Sequence, residues 1–153
     1  MLRKIRALDN LADLLSLGHK ADIRRKAHPR PARAVAVIGA SSDRAKFGNK
    51  AVRAFANQGY TVVPIHPREE QVEGWTAYKS VLDVPGPIDM ATMYLAPAIG
   101  MRVIEEVAQK GITEVWLNPG ADSPELAARA RELGLRTVVA CSIRGVGESP
   151  HEL

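Results

Sequence analysis

The stretch Ala34-Val35-Ala36-Val37-Ile38, closed by Gly39, limits the possible folds of this chain more than any other segment. Five consecutive apolar residues leave no polar face. A strand built from them must be covered on both sides, as happens in a parallel sheet with helices above and below. The rest of the chain repeats that demand. Strand-like apolar runs at residues 60–64, 88–95, 112–117 and 135–140 alternate with helix-like segments at residues 47–57, 97–110 and 123–133. Gly59, Gly111 and Gly134 fall just past the three helices, where a left-handed residue ends a helix most easily. Pro97 suits a first helical turn, and Ser123-Pro124 reads as an N-cap followed by a first-position proline. Pro64 has no N–H to give a ladder and is expected at a strand end. Residues 69–87 read as mixed, with a short helical turn near residues 78–82 and a Pro-Gly-Pro loop.

Strands joined by helices of this length imply right-handed crossovers and a parallel sheet. The expected fold is α/β: a Rossmann-like, doubly wound, five-stranded parallel sheet of order 3-2-1-4-5, with an N-terminal helical extension. In such sheets ligands lie beyond the carboxyl ends of the strands, where the strand order reverses. The loops to examine are therefore residues 41–46, 66–69, 96–98 and 118–121, and the segment from Cys141 onward.

Charge divides the chain in two. Of 21 Lys and Arg and 17 Asp and Glu, residues 1–33 hold nine basic and three acidic ones, so the net charge of +4 belongs to the N-terminus. Residues 1–32 are expected to form a basic helical arm with Ile5, Leu8, Leu11, Leu14 and Leu15 at helical spacing, ending in the linker His28-Pro29-Arg30-Pro31. Residues 33–153 form the domain. The arm has no interleaved aromatics and no nucleic-acid motif, so it is read as packing on the domain, on a second copy or on a protein partner. No apolar run reaches the ~18 residues of a membrane span, and no secretory signal is recognisable. The single cysteine fits a reducing compartment, so a cytoplasmic location is expected.

The loop after the first strand reads Gly39-Ala40-Ser41-Ser42-Asp43-Arg44-Ala45-Lys46-Phe47-Gly48. A glycine turn, two hydroxyls and a helix N-terminus suit a phosphate. It is not Gly-x-Gly-x-x-Gly: Ser41 takes the second glycine's place. The second strand runs into Ile65-His66-Pro67-Arg68. NAD-binding domains usually place an acid there to hold the ribose hydroxyls. A cation instead favours a phosphate on the adenosine ribose, which leaves NADP or coenzyme A. Arg44, Lys46, Lys50 and Arg68 are the candidate counter-charges.

At these residues the chain resembles the small stand-alone CoA-binding proteins, relatives of the CoA-binding domain of the succinyl-CoA synthetase α-subunit. The matching stretches are Val37-Ile38-Gly39-Ala40-Ser41, the run from Gln58-Gly59-Tyr60 to Ile65-His66-Pro67, Val84-Pro85 with Ile88-Asp89, and Val115-Trp116-Leu117-Asn118-Pro119-Gly120-Ala121. The resemblance implies coenzyme A or acyl-CoA as the ligand. It implies Ser41, Ser42 and Arg44 at the diphosphate and Arg68 beside the adenosine phosphates; Gly39 and Lys46 of the same loop and His66 at the strand tip complete the candidate site. Ala96-Pro97 and Asn118-Pro119 would pack near the cofactor. Family members commonly have Asn-Pro-Lys where this chain has His66-Pro67-Arg68, and many have Asp-Arg-Cys where it has Val139-Ala140-Cys141.

No catalytic residue and no metal site is expected. His66 is the one histidine near the site, and a lone histidine more readily caps a turn than moves a proton. Cys141, on the ligand edge, reads as a small apolar residue, with exchange against a CoA thiol as the alternative. Trp116 reads as core and Trp75 as a hydrophobic lid. The function expected is a non-catalytic CoA-binding module, sensor or subunit. An NADP-dependent oxidoreductase, or a nucleotide-responsive regulator acting through the arm, stands as the alternative.

Overall fold

Along the first strand, alternate residues point to opposite faces, and each face meets its own core. In the computed structural model, which describes residues 33–153, Val35 and Val37 of β1 (Ala34–Ile38) pack into one cluster and Ala36 and Ile38 into another. The first cluster lies under α1 (Phe47–Asn57), whose Ala51, Val52 and Phe55 are fully buried. The second lies under α2 (Pro97–Lys110) and α3 (Pro124–Glu132), through Ile104, Val107, Leu126 and Ala130. That is the doubly wound arrangement expected. The arm and linker expected over residues 1–32 lie outside the described residues.

The main sheet contains β1, β2 (Thr61–Ile65), β5 (Met90–Met93), β6 (Glu114–Leu117) and β7 (Arg136–Val139), all parallel. Its order is β2-β1-β5-β6-β7. The expected order, 3-2-1-4-5, is therefore corrected: the third main strand, β5, lies against β1 and not outside β2. Pro64 supplies the reason. Its carbonyl faces away from β1 and accepts the Tyr78 N–H at 3.0 Å, so its missing N–H falls on the same outer side. A full parallel strand there would lose a ladder bond. Met90–Met93, buried at every position, instead takes the central place between β1 and β6.

The outer side of β2 is met by the segment expected to be mixed. β3 (Gln71–Val72) and β4 (Trp75–Thr76) form a two-residue hairpin, and Tyr78 bridges to Ile65. The turn uses Glu73 at φ 51° and Gly74 at φ 82°, the pair of positive angles that a tight hairpin of matching twist requires. A 3-10 turn at Val81–Asp83 follows, capped by Ser80. After β7 comes a single helical turn, α4 (Ser142–Gly145), on the α1 face, with Ile143 fully buried. Ser123 caps α3 by accepting the Leu126 N–H at 3.1 Å, as expected.

Candidate functional site

The carboxyl ends of β1 and β5 flank the point where the chain turns from one side of the sheet to the other. Such a switch point opens a crevice, and two clefts meet there. One, of about 680 Å3, extends over β6 and β7; the other, of about 490 Å3, extends over β2. Gly39, Lys46, Tyr94 and Leu95 line both, so the clefts are two arms of one groove.

Two glycines shape its centre. Gly39 leaves β1 at φ 91°, and a Cβ there would lie 3.0 Å from the Tyr94 backbone. Gly48, in the first turn of α1, is tighter still: a Cβ would stand 2.1 Å from the Gly39 carbonyl oxygen. Gly39 and Gly48 thus supply the tight turn and the close helix–strand approach that the first and third glycines supply in a Gly-x-Gly-x-x-Gly loop. The sequence signal for Gly48 is its position closing the loop at the start of an apolar helical face.

The loop between these glycines is divided. Ser41 faces the 490 Å3 cleft, and its Oγ accepts the Asp43 N–H at 3.0 Å. Lys46, the N-cap of α1, is exposed and reaches both clefts. The outer half of the loop faces elsewhere. Ser42 donates to Glu69 Oε2 at 2.8 Å, and Arg44 is ion-paired with Glu73 on the hairpin. Buried Asn49 completes this strap, donating to the Ser41 carbonyl at 2.8 Å and to Glu73 at 3.2 Å. The Asn49 hydrogen bond, with Arg44 adding charge attraction, holds the Glu73 carboxyl below the usual carboxylate range against a partly opposing desolvation. Neither Ser42 nor Arg44 lines the two clefts.

The tip of β2 also departs from expectation. His66 lines the smaller cleft, and its Nδ1 accepts the Arg68 and Glu69 N–H groups, both at 3.0 Å. It caps the turn, which places its ring proton on Nε2. Arg68 lies outside both clefts. It borders a neighbouring depression of about 550 Å3 that shares Pro67 and Lys79 with the smaller cleft. The carboxylate expected to be absent from this tip is present in space, since Glu69 reaches back to Ser42. Lys79, which the sequence reading did not single out, is the cation bordering both the cleft and the depression. Hydrogen bonds from the Tyr78 N–H to Pro64 and from the His66 N–H to the Tyr78 carbonyl, at 3.0 and 2.9 Å, fix its place.

The larger cleft rests on a buried polar cluster. Asn118 donates to Thr92 Oγ1 at 2.7 Å and to the Met93 carbonyl at 2.8 Å, and accepts the Ser142 N–H at 2.8 Å. Ser142 Oγ meets Thr92 Oγ1 at 2.7 Å and Tyr94 Oη at 3.0 Å. Four groups from the tips of β5 and β6 and the start of α4 are thereby locked together. Burial raises the Tyr94 hydroxyl to a pKa of about 12, despite opposing hydrogen bonds from Ser142 and Thr92. The Asn118 side chain is thus engaged by the protein itself, while Pro119 and Ala96 face the larger cleft. Pro97 begins α2 without lining either cleft. Cys141, Arg144 and His151 also face the larger cleft, the last two unanticipated. Trp75 packs on the α1-side core and lines neither of the two clefts, and Trp116 packs on the same core. Among the described residues, no cluster of metal-binding side chains occurs and no helix is long and apolar enough to cross a membrane.

Known proteins are similar to this chain in sequence and in fold. The family model described as a CoA binding domain matches residues 33–144. The α-subunit of ADP-forming acetate–CoA ligase II from Pyrococcus furiosus is 38% identical over 84 residues, 54% of this chain and 18% of that subunit. ADP-forming 4-hydroxybutyrate–CoA ligase from Nitrosopumilus maritimus is 40% identical over 85 residues, 54% of this chain and 12% of the ligase. This chain thus spans less than a fifth of the length of either. Among solved structures, a hypothetical protein from Pyrococcus horikoshii OT3 is 30% identical with a TM-score of 0.69, covering 84% of this chain and 87% of that one.

Proposed function

Because the chain belongs to the CoA binding domain family, we propose that it binds coenzyme A or an acyl-CoA in the groove at the switch point. The observation that carries this reading is the junction of the two clefts at Gly39 and Lys46, where a diphosphate would meet a helix N-terminus and a shared cation. The adenosine would turn toward β2, into the 490 Å3 cleft, with its ribose phosphate between Lys79 and Arg68. The pantetheine arm would follow the 680 Å3 cleft past Leu95 and Pro119 toward Cys141. Ser42 and Arg44 would hold the loop in shape through Glu69 and Glu73.

The two curated relatives named above are a CoA ligase and a subunit of one. We read this chain accordingly as the CoA-holding module of a larger activity, working in the cytoplasm with a protein partner. Thermal-shift titration tests the ligand. Coenzyme A should raise the melting temperature in a saturable way, dephospho-CoA less so, and NADPH and NADH not at all. No stabilisation by coenzyme A would end this reading. Equal stabilisation by dephospho-CoA would remove Lys79 and Arg68 from the ribose phosphate.

A further inference from the structure

The 490 Å3 cleft contains a carboxylate, and a carboxylate is a poor neighbour for a ligand with several phosphates. Glu106 lines it together with Ile99 and Val103, spaced i, i+4 and i+7 along one face of α2. Ser80 opposes Glu106 from the other wall and donates its hydroxyl to Oε1. The same Ser80 oxygen accepts the Leu82 N–H at 3.1 Å, which anchors it to the 3-10 turn. Glu106 Oε2 has no hydrogen-bond partner among the described residues. Ile65, Val81, Ile99 and Val103 supply apolar walls around the pair, and Ile99 is 41% exposed. Apolar walls beside a carboxylate acceptor suit a flat ring that carries a donor.

The inference rests on the coenzyme A reading above. In doubly wound sheets the second strand's tip serves the adenosine ribose, and this cleft opens beside that tip. The adenosine end of coenzyme A carries phosphates, which only accept. Its donors are the ribose 2′-hydroxyl, next to a phosphate that would repel a carboxylate, and the exocyclic amine of adenine. We propose that Glu106 is a specificity-determining residue that reads the base. Its Oε2 accepts from the 6-amino group while Ser80 holds the carboxylate in position. A 6-oxo purine of the same shape would place an oxygen lone pair against that carboxylate and be rejected.

Isothermal titration of the full chain with coenzyme A and with its 6-oxo, hypoxanthine analogue tests this. The wild-type protein should bind the analogue at least about tenfold more weakly, the scale of one charge-assisted hydrogen bond. Glu106→Ala should lose about tenfold in affinity for coenzyme A and bind the two ligands alike. Glu106→Gln, of equal size, should shift in the same direction by less and guards against a packing defect. Equal wild-type affinities for the two ligands, or a Glu106→Ala variant weakened equally toward both, would overturn the proposal. Absence of any coenzyme A binding by the wild type is a distinct result that removes the parent reading and this one together.

Discussion

Tyr94 shows how a single side chain can serve both core and site. It lines both clefts, while its hydroxyl is tied to Ser142 in a cluster with no unsatisfied buried polar atom among the described residues. Burial favours the neutral phenol, raising its pKa from 10.0 to about 12. Below pH 10 the hydroxyl is protonated whether the chain is folded or not, so its contribution is fully present. Between pH 10 and about 12 the unfolded chain releases the proton first, and stability is lost. Tyr94→Phe should cost about 1 kcal/mol at pH 7 through the lost hydrogen bond, and should lose less stability than the wild type between pH 10 and 12. Urea denaturation across that range measures both, and because Tyr60 and Tyr78 are common to the two proteins, the difference isolates Tyr94. Identical alkaline slopes would refute the assignment. Gly39, Ser41, Lys46 and His66 were legible in sequence because loop position alone brings them to the groove. Ser42, Arg44 and Arg68 stand outside the two clefts, and sequence marks their charge or polarity but not which way they face. Lys79 and Glu106 were invisible, lying outside every loop that the switch-point rule selects.

Among the elements, the helices were read most closely. Phe47–Asn57 and Pro97–Lys110 coincide with the expected segments, because glycine and proline punctuate their ends. The strand order was misread, as five apolar runs say that strands are buried but not beside which neighbour. The proline in β2 held the missing information, since a residue without an N–H favours the margin of a sheet. The β3–β4 hairpin has a weak sequence signal, because Glu73-Gly74 is an unusual choice for a turn that prefers Asn-Gly or Asp-Gly. The packing of α1 on β1 yields a sharp expectation. Gly48→Ala pushes a methyl to 2.1 Å from the Gly39 oxygen, closer than real Cβ contacts come, so helix and strand must separate. The variant should lose about 3 kcal/mol in denaturant titration, and a loss below about 1 kcal/mol would mean that the junction is looser than described.

Across the whole molecule the two cores share one sheet, so its centre should be the last part to open. Amides of β1 and β5, bonded on both sides, should resist hydrogen exchange longest. Those of β7 should follow, and the hairpin of β3 and β4 should exchange first. Protection of the hairpin equal to that of β1 would show that the strap between Glu69, Glu73 and the first loop belongs to the cooperative core. The fold class was legible because buried parallel strands leave long apolar runs. The groove was legible in outline only, since its walls come from segments far apart in the chain.

Pro64 and the Tyr78 bridge have one more consequence. Among the described residues they blunt one margin of the sheet, while at the opposite margin the outward amides of Thr137 and Val139 in β7 meet no strand. Within the main sheet of the described residues, a guest backbone therefore finds one open flank. Among the described residues of the main sheet that is one receptive border per copy, so two copies joined flank to flank through it would close into a pair instead of lengthening into a ribbon.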